Sequence, residues 1–151
     1  MKRVFFYIVA IMITGSFFHP VFSQHNNLQK SLSSSEKMKV QTLILNEIEE
    51  GIINNDIEAF SRYFSSQPYI SLINGVNGYY SSNQTYYILE DFFNSFKVIS
   101  FRFQEKKTDE SVAYGKGEYY FEKKGKREVA NLYITLNKTG SRWFITQISI
   151  N

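Results

Sequence analysis

Glu47 is the carboxylate of this sequence that is best placed for acid–base chemistry. When residues 36–54 are drawn as a helix, it falls between Val40 and Leu43 at the edge of an apolar arc. A carboxylate at that border is either a solvated charge, which is the favoured interpretation, or the acid of a pocket. Tyr63 and Tyr133 could assist it, because a base needs a second group that holds the developing oxyanion.

The other titratable residues favour no further chemistry. Beyond residue 23 the only histidine is His25, which lies in a polar segment without periodicity, so histidine catalysis or a histidine metal site is not expected. The sequence has no glycine-rich phosphate loop, nucleophile elbow or paired-carboxylate spacing. We therefore expect no metal and no cofactor. Four acidic residues lie away from the main apolar stripes: Glu49, Glu50, Glu90 and Asp91.

The first 23 residues have the pattern of a secretory signal peptide. Lys2 and Arg3 precede an uncharged apolar stretch, and Val21 and Ser23 stand at the spacing of a cleavage site. A membrane-spanning helix is disfavoured because it needs roughly 18 or more apolar residues, and glycine, serine, histidine and proline interrupt this stretch. We expect cleavage after Ser23 and a secreted or periplasmic protein.

Charge and cysteine content restrict the partners of the mature chain. Of the 17 Lys and Arg residues, two lie in the signal segment, so 14 Asp and Glu residues oppose the remaining 15 and nucleic acid is not an expected partner. The chain has no cysteine, so a protein outside the cytoplasm must be stabilised by its core alone. The length of 151 residues is enough for one domain.

The first half of that domain is predicted to be mainly helical. Residues 24–35 are polar and serine-rich, as in a flexible leader, and the domain is expected over residues 36–151. Apolar residues then recur every three or four positions to about Asn54, and Asp56 can cap a short second helix that Pro68 would end. A strand and a tight turn are expected next, since YISLINGVNGYY alternates and then carries two glycines.

The stretch GYYSSNQTYYILEDFFNSF raises the question whether its aromatic rings line a pocket or fill a core. On a helix, Tyr87 points away from the core together with the acidic residues, whereas five residues on one arc point inward. Between helix and sheet such rings serve either as core or as cavity wall, and core is the favoured interpretation. The inward arc comprises Tyr86, Leu89, Phe92, Phe93 and Phe96.

The remaining residues, from Lys97 onward, predict an antiparallel meander of four strands. Alternating runs are separated by the turn signals KKTDES, KKGK and NKTG. The small residues Ala113, Gly115 and Gly117 would let a helix approach the sheet closely. In the last run Trp143 and Ile145 have one parity while Ile148 and Ile150 have the other, so a β-bulge at Thr146 and Gln147 is expected. The inward positions of the first three runs are Ile99, Phe101, Phe103, Ala113, Gly115, Gly117, Tyr119, Phe121, Ala130, Leu132, Ile134 and Leu136.

This order of elements resembles the nuclear transport factor 2-like (cystatin-like) superfamily. NNDIEAFSRYFSS is similar to its junction between the first two helices, and GSRWFITQISI is similar to its closing strand. The segments YYSSNQTYYILEDFF, FRF, AYGKGEYYF and ITQISI more closely resemble a family of small secreted bacterial proteins known only as a domain of unknown function. The resemblance implies an α+β fold in which helices pack on a curved antiparallel sheet around a cone-shaped cavity.

Two functions remain open for such a cone. One is a non-enzymatic module that binds a small apolar ligand or an envelope protein, and this is the favoured hypothesis. The alternative is a small isomerase- or dehydratase-like enzyme that uses a cavity carboxylate. An association of two copies through the sheet is also left open. The predicted pocket residues are Glu47, Tyr63, Tyr86, Phe93, Tyr133 and Trp143.

The basic turn EKKGKR, residues 122–127, is a second candidate binding feature. Its clustered cations could recognise an anionic glycan or a phosphate. A solvated turn whose lysines discourage pairing between sheet edges is the favoured interpretation.

Overall fold

The computed structural model describes residues 40–151. The predicted signal peptide, the predicted leader and the first residues of the predicted domain, 36–39, lie outside this range. The described part contains three helices: α1 over residues 40–53, α2 over Glu58–Ser61 and α3 over Ser82–Ser95. The six strands are β1 Phe64–Leu72, β2 Asn77–Tyr79, β3 Lys97–Thr108, β4 Val112–Lys123, β5 Lys126–Thr139 and β6 Arg142–Ile150.

The buried face of α1 is rotated relative to the predicted arc. Ile44, Leu45 and Ile48 are buried, but Val40 and Leu43 are 48% and 53% exposed, so the prediction for these last two residues was wrong. Periodicity alone gives an arc about a helix but does not fix which edge of the arc meets the sheet. The helix ends as predicted at the asparagine pair, where Asn55 adopts a left-handed backbone with φ of 54°.

The segment after α1 turns sharply into the first strand. An Asp56 carboxylate oxygen accepts a hydrogen bond from the Ala59 amide at 3.1 Å, but the N-cap residue of α2 is Ile57, one residue later than predicted. The second helix ends at Ser61, well before Pro68, which was expected to end it but lies inside β1. Proline is tolerated there because the pairing of β1 with β6 is irregular between Phe64 and Tyr69.

A capping box starts α3. The Ser81 hydroxyl accepts a hydrogen bond from the Gln84 amide, and the Gln84 side chain accepts one from the Ser81 amide. The predicted helix face is confirmed for Leu89, Phe92 and Phe93, and for Phe96 just beyond the helix, which are all buried, whereas Tyr87 is exposed. Tyr86 lies at the border and is half-buried.

The strands form one sheet in the order β2-β1-β6-β5-β4-β3. The chain from β3 to β6 is the predicted antiparallel meander, and β1 joins it by pairing in parallel with β6. The hairpin of β1 and β2 adds one edge strand. The result is a mixed α+β fold with the helices on one face of the sheet, as predicted.

The predicted bulge in β6 is confirmed. Thr135 pairs with Gln147 and Leu136 pairs with Ile145, so Thr146 is the extra residue of β6. Its insertion reverses the parity of the strand, and the apolar residues on both sides of it are buried. They are Trp143, Ile145, Ile148 and Ile150.

A second irregularity corrects the prediction for β3. Val98 pairs with Phe121 and Ser100 with Tyr120, so Ile99 is an extra residue and is 40% exposed rather than inward.

The glycines of β4 were expected to let a helix approach the sheet, but their neighbour is a strand. A Cβ on Gly115 would lie 2.6 Å from the Phe103 ring, and one on Gly117 would lie 2.1 Å from the Arg102 carbonyl oxygen. Strand β3, rather than a helix, therefore occupies the space beside them.

Aromatic rings fill the space between α3 and the β3–β4 half of the sheet. The rings of Phe92 and Phe96 stack at 4.5 Å, and Phe93 lies 5.7 Å from Tyr119, measured between ring centroids. The buried Tyr119 hydroxyl donates a hydrogen bond to the Phe96 carbonyl oxygen at 2.5 Å. This end of the fold is a packed core. We call these rings the aromatic core: Phe92, Phe93, Phe96, Phe101, Phe103, Tyr119 and Phe121.

Candidate functional site

A pocket of about 390 Å³ opens at the other end of the molecule. It lies between α1, the residues that link α2 to β1, and the turn from β5 to β6. We call it the α1 pocket, and its lining residues are Val40, Leu43, Ile44, Glu47, Arg62, Tyr63, Ser141, Arg142 and Trp143.

A hydrogen-bonded triad forms one wall of the α1 pocket. The Tyr63 hydroxyl donates to a Glu47 carboxylate oxygen at 2.6 Å, and an Arg62 guanidinium nitrogen donates to the same oxygen at 2.5 Å. The guanidinium also lies 4.9 Å from the centre of the Tyr63 ring. Arg62 and Tyr63 follow α2 directly, so the tight α1–α2 junction brings them beside Glu47 on α1.

The triad keeps Glu47 ionised. The hydrogen bond from Tyr63 lowers the pKa of the Glu47 carboxyl below its ordinary value of 4.5, and Arg62 lowers it further, against an opposing effect of burial. Burial raises the pKa of the Tyr63 hydroxyl, and its hydrogen bond to Glu47 raises it further. At neutral pH the pair is therefore a carboxylate that accepts from a neutral phenol.

The opposite wall is apolar and carries a second cation. Trp143 is buried at its base, while the exposed side chains of Val40 and Leu43 extend the apolar surface along α1. Arg142 stands at the rim, with its guanidinium 5.1 Å from the Phe144 ring. Within residues 40–151, Arg142 forms no ion pair with a carboxylate.

Three of the six predicted pocket residues come together here: Glu47, Tyr63 and Trp143. The other three do not line the α1 pocket. Phe93 belongs to the aromatic core. Tyr86 lies on α3 with its ring against Tyr87, and Tyr133 lies on the outer face of the sheet, where the Lys116 ammonium is 5.4 Å from its ring.

The sequence interpretation missed the two arginines of the α1 pocket. Arg142 directly follows the NKTG turn and precedes the buried Trp143, and this position as the first residue of β6 is the signal that could have placed it at a rim. Arg62 had no comparable signal, because its partner Glu47 is fifteen residues away and their contact depends on how tightly α2 folds back.

The described residues contain no group of three or more histidine, cysteine, aspartate or glutamate side chains that could hold a metal ion. Among residues 40–151, no helix is long and apolar enough to cross a membrane. The polar groups that line the α1 pocket are the Glu47 carboxylate, the Tyr63 phenol, the Ser141 hydroxyl, the Trp143 indole and the guanidinium groups of Arg62 and Arg142.

The profile of one protein family, the domain of unknown function DUF4783, matches residues 45–151. The chain belongs to this family. A solved member from Bacteroides uniformis superimposes with a TM-score of 0.64 at 13% identity, over 70% of this chain and 94% of that one. No curated protein matches the chain in sequence.

Other solved structures share the fold. A nuclear transport factor 2-like protein of unknown function from Shewanella oneidensis gives a TM-score of 0.55 at 15% identity, over 78% of this chain and 98% of that one. A hypothetical protein from Catenulispora acidiphila has a ketosteroid isomerase-like fold and was solved in complex with trimethylamine. It gives a TM-score of 0.57 at 11% identity, over 72% of this chain and 83% of that one. These likenesses show that the chain has the nuclear transport factor 2-like fold, as predicted.

Proposed function

We propose that this protein is a secreted or periplasmic binding module whose α1 pocket holds a small amphipathic anion. The carrying observation is Arg142, a cation without a carboxylate partner in the described chain, beside the apolar surface of Val40, Leu43 and Trp143. An apolar ligand body would cover that surface, and its anionic group would bind the guanidinium. A volume of about 390 Å³ suits a small molecule.

The charges of the triad support an anion rather than a cation. Glu47 is neutralised by Arg62 at 2.5 Å, so the cation of Arg142 is left in excess at the rim. The Catenulispora protein was solved with trimethylamine. The α1 pocket of this chain, with two guanidinium groups and one paired carboxylate, would instead repel an amine. Opposite charges across a binding site also raise the rate of encounter with the ligand.

An isomerase- or dehydratase-like enzyme is the second candidate, favoured by the contact of Glu47 with Tyr63 at 2.6 Å. A carboxylate and a phenol in contact could act as base and oxyanion donor. The lowered pKa of Glu47 argues against this role, because a general base works best when its pKa lies near the operating pH. Binding is therefore the better-supported function.

Fluorescence titration can test anion binding directly, because Trp143 is the only tryptophan of the chain and lies in the α1 pocket. Octanoate, octanol and octyltrimethylammonium share one chain length and differ in the charge of the head group. We expect octanoate to change the Trp143 emission at the lowest concentration. Arg142→Gln should weaken octanoate binding, whereas Arg127→Gln, at the distant start of β5, should not. Equal binding of the three probes would contradict the proposal.

Glu47→Gln separates the two candidate functions. In a binding module this change releases Arg62 from its ion pair, so octanoate should bind as tightly as in the wild type or more tightly. In an enzyme it should remove a proton-transfer step, a loss of roughly 10²- to 10⁴-fold in rate. A large rate loss on any substrate that the protein turns over, with an unchanged melting temperature, would establish the enzyme.

The proposal includes export and removal of residues 1–23. Its support is the basic start, the apolar run and the Val21 and Ser23 pair. N-terminal sequencing of exported protein should give Gln24 as the first residue. A mass that retains residues 1–23 would indicate a membrane anchor instead.

A further inference from the structure

We infer that a second binding site, for a neutral oligosaccharide, lies on the outer face of the sheet, away from the helices. A groove of about 580 Å³ crosses strands β2, β1, β6 and β5 there. Every residue that lines it is polar or aromatic, and none is charged. We call it the sheet groove, and its lining residues are Gln67, Tyr69, Tyr79, Thr135, Asn137, Thr146 and Gln147.

The bulge of β6 creates the centre of the sheet groove. In a regular strand only one residue would separate the inward Ile145 from the next inward residue, but here two residues, Thr146 and Gln147, lie before Ile148. Both line the groove. The Thr146 hydroxyl donates to the Thr135 carbonyl oxygen at 3.4 Å, which leaves the Gln147 amide as the group presented to a ligand.

Two tyrosines form an aromatic platform at one end. Tyr79 is 73% exposed, and its ring centre lies 5.2 Å from that of Tyr69 at an interplanar angle of 60°. The Tyr69 hydroxyl donates to the Asn77 side-chain oxygen at 2.7 Å, which fixes its orientation. An exposed tyrosine ring offers an apolar face to the C–H groups of a pyranose while its hydroxyl remains in water.

Three side-chain amides supply the polar contacts. Gln67, Asn137 and Gln147 make no side-chain hydrogen bond with any described residue. Each amide has both donors and an acceptor, which matches sugar hydroxyls, since these also donate and accept. A ring platform beside uncommitted amides is therefore complementary to a polyhydroxylated ligand.

The absence of charge in the groove selects a neutral ligand. Arg102, Lys116 and Glu118 lie on β3 and β4, in the other half of the sheet, and do not line the groove. A phosphate or a uronic acid would find no cation there. A second copy of this chain is a less suitable occupant, because the centre of a homodimer interface is normally apolar, whereas this groove is lined mainly by amides and hydroxyls.

Two-dimensional ¹H–¹⁵N NMR of the purified protein tests the inference with cellohexaose, maltohexaose and mannohexaose, and with trigalacturonate as the charged comparison. We expect at least one neutral probe to shift the amide signals of Tyr69, Tyr79, Asn137 and Gln147 at millimolar concentrations, and trigalacturonate to leave them unchanged. Tyr79→Ala should weaken that binding about tenfold by removing ring contacts. The matched control Tyr87→Ala removes an exposed tyrosine from α3 and should not change it.

Gln147→Ala is a second variant that keeps the test valid if Tyr79→Ala disturbs the short strand β2. It should also weaken binding, because it removes one uncommitted amide. Absence of shifts with all three neutral probes would overturn the inference. So would shifts confined to the α1 pocket, or sedimentation data showing a dimer that Tyr79→Ala and Gln147→Ala dissociate, since the groove would then be an interface between copies.

Discussion

The aromatic core and the α1 pocket lie at opposite ends of the same layer between helices and sheet, yet one is filled and the other is open. In the core, ring centroids approach to between 4.5 and 6.5 Å, and the single hydroxyl, that of Tyr119, is bonded to a backbone carbonyl. In the pocket, Tyr63 directs its hydroxyl to a carboxylate that solvent still reaches. Tyr119, whose hydroxyl is bonded to a buried carbonyl oxygen, therefore helps to fill the core. Tyr63, whose hydroxyl is bonded to a charged carboxylate, instead lines the pocket.

The difference teaches where a ligand site can persist in this fold. Space next to apolar rings is filled by other rings, because empty apolar volume is destabilising. Space next to Glu47, Arg62 and Arg142 stays open, because closing it would remove charges from water. The opening of the α1 pocket follows from the charges on its rim rather than from the number of aromatic residues around it.

Phe93→Ala is expected to have the largest effect and tests whether the core is closed. The ring is 3% exposed, so its removal should lower the free energy of unfolding by roughly 3 to 5 kcal/mol. Urea denaturation measures this change. Tyr87→Ala on the exposed face of the same helix should change the free energy of unfolding by less than about 0.5 kcal/mol. Similar losses in both variants would mean that α3 does not present the face described here.

Gly117→Ala is expected to have a smaller effect and tests how tightly β3 covers β4. The new Cβ would lie 2.1 Å from the Arg102 carbonyl oxygen, so the strands must move apart locally. We expect a loss of roughly 1 to 3 kcal/mol in urea denaturation. A loss of less than about 0.5 kcal/mol in Gly117→Ala would contradict close packing of these strands.

The local pattern of apolar residues was sufficient to predict most of the fold. It failed where a contact with a residue distant in sequence determines which side chain is buried or where an element ends. The faces of α3 and of β4 to β6 follow from spacing, and the parity change between Trp143 and Ile148 required the bulge at Thr146. Pro68 was misplaced because a proline signals a break, whereas the irregular pairing with β6 accommodates it within β1. Val40 and Leu43 were misplaced because nothing in the helix itself shows where the sheet ends.

The candidate site was only half predictable for the same reason. Glu47 was chosen from its border position on α1, and the structure places it in the α1 pocket together with Trp143. Tyr133 was placed wrongly because its alternation with Leu132 and Ile134 puts it on the outer face of the sheet. Arg62 could not be assigned, since its role depends on the three-dimensional turn that brings it within 2.5 Å of Glu47.

The smallest expected effect concerns the open end, where Glu47 should stabilise the protein only above acidic pH. Its folded pKa is lowered from 4.5, so the stabilisation is present above 4.5 and is lost as the pH falls through the lower folded value. Because the Glu47 and Arg62 side chains are 43% and 60% exposed, solvent screening limits the difference in the free energy of unfolding between wild type and Glu47→Gln to roughly 0.2 to 1 kcal/mol.

Urea denaturation at several pH values should show this difference at neutral pH and its disappearance in acid. Glu50→Gln, an exposed position on the same helix, serves as the control. A difference that instead grows as the pH falls would mean that folded Glu47 binds its proton more readily than the unfolded chain does, as a general acid in an enzyme would, and the open end would then have to be reinterpreted as an active site.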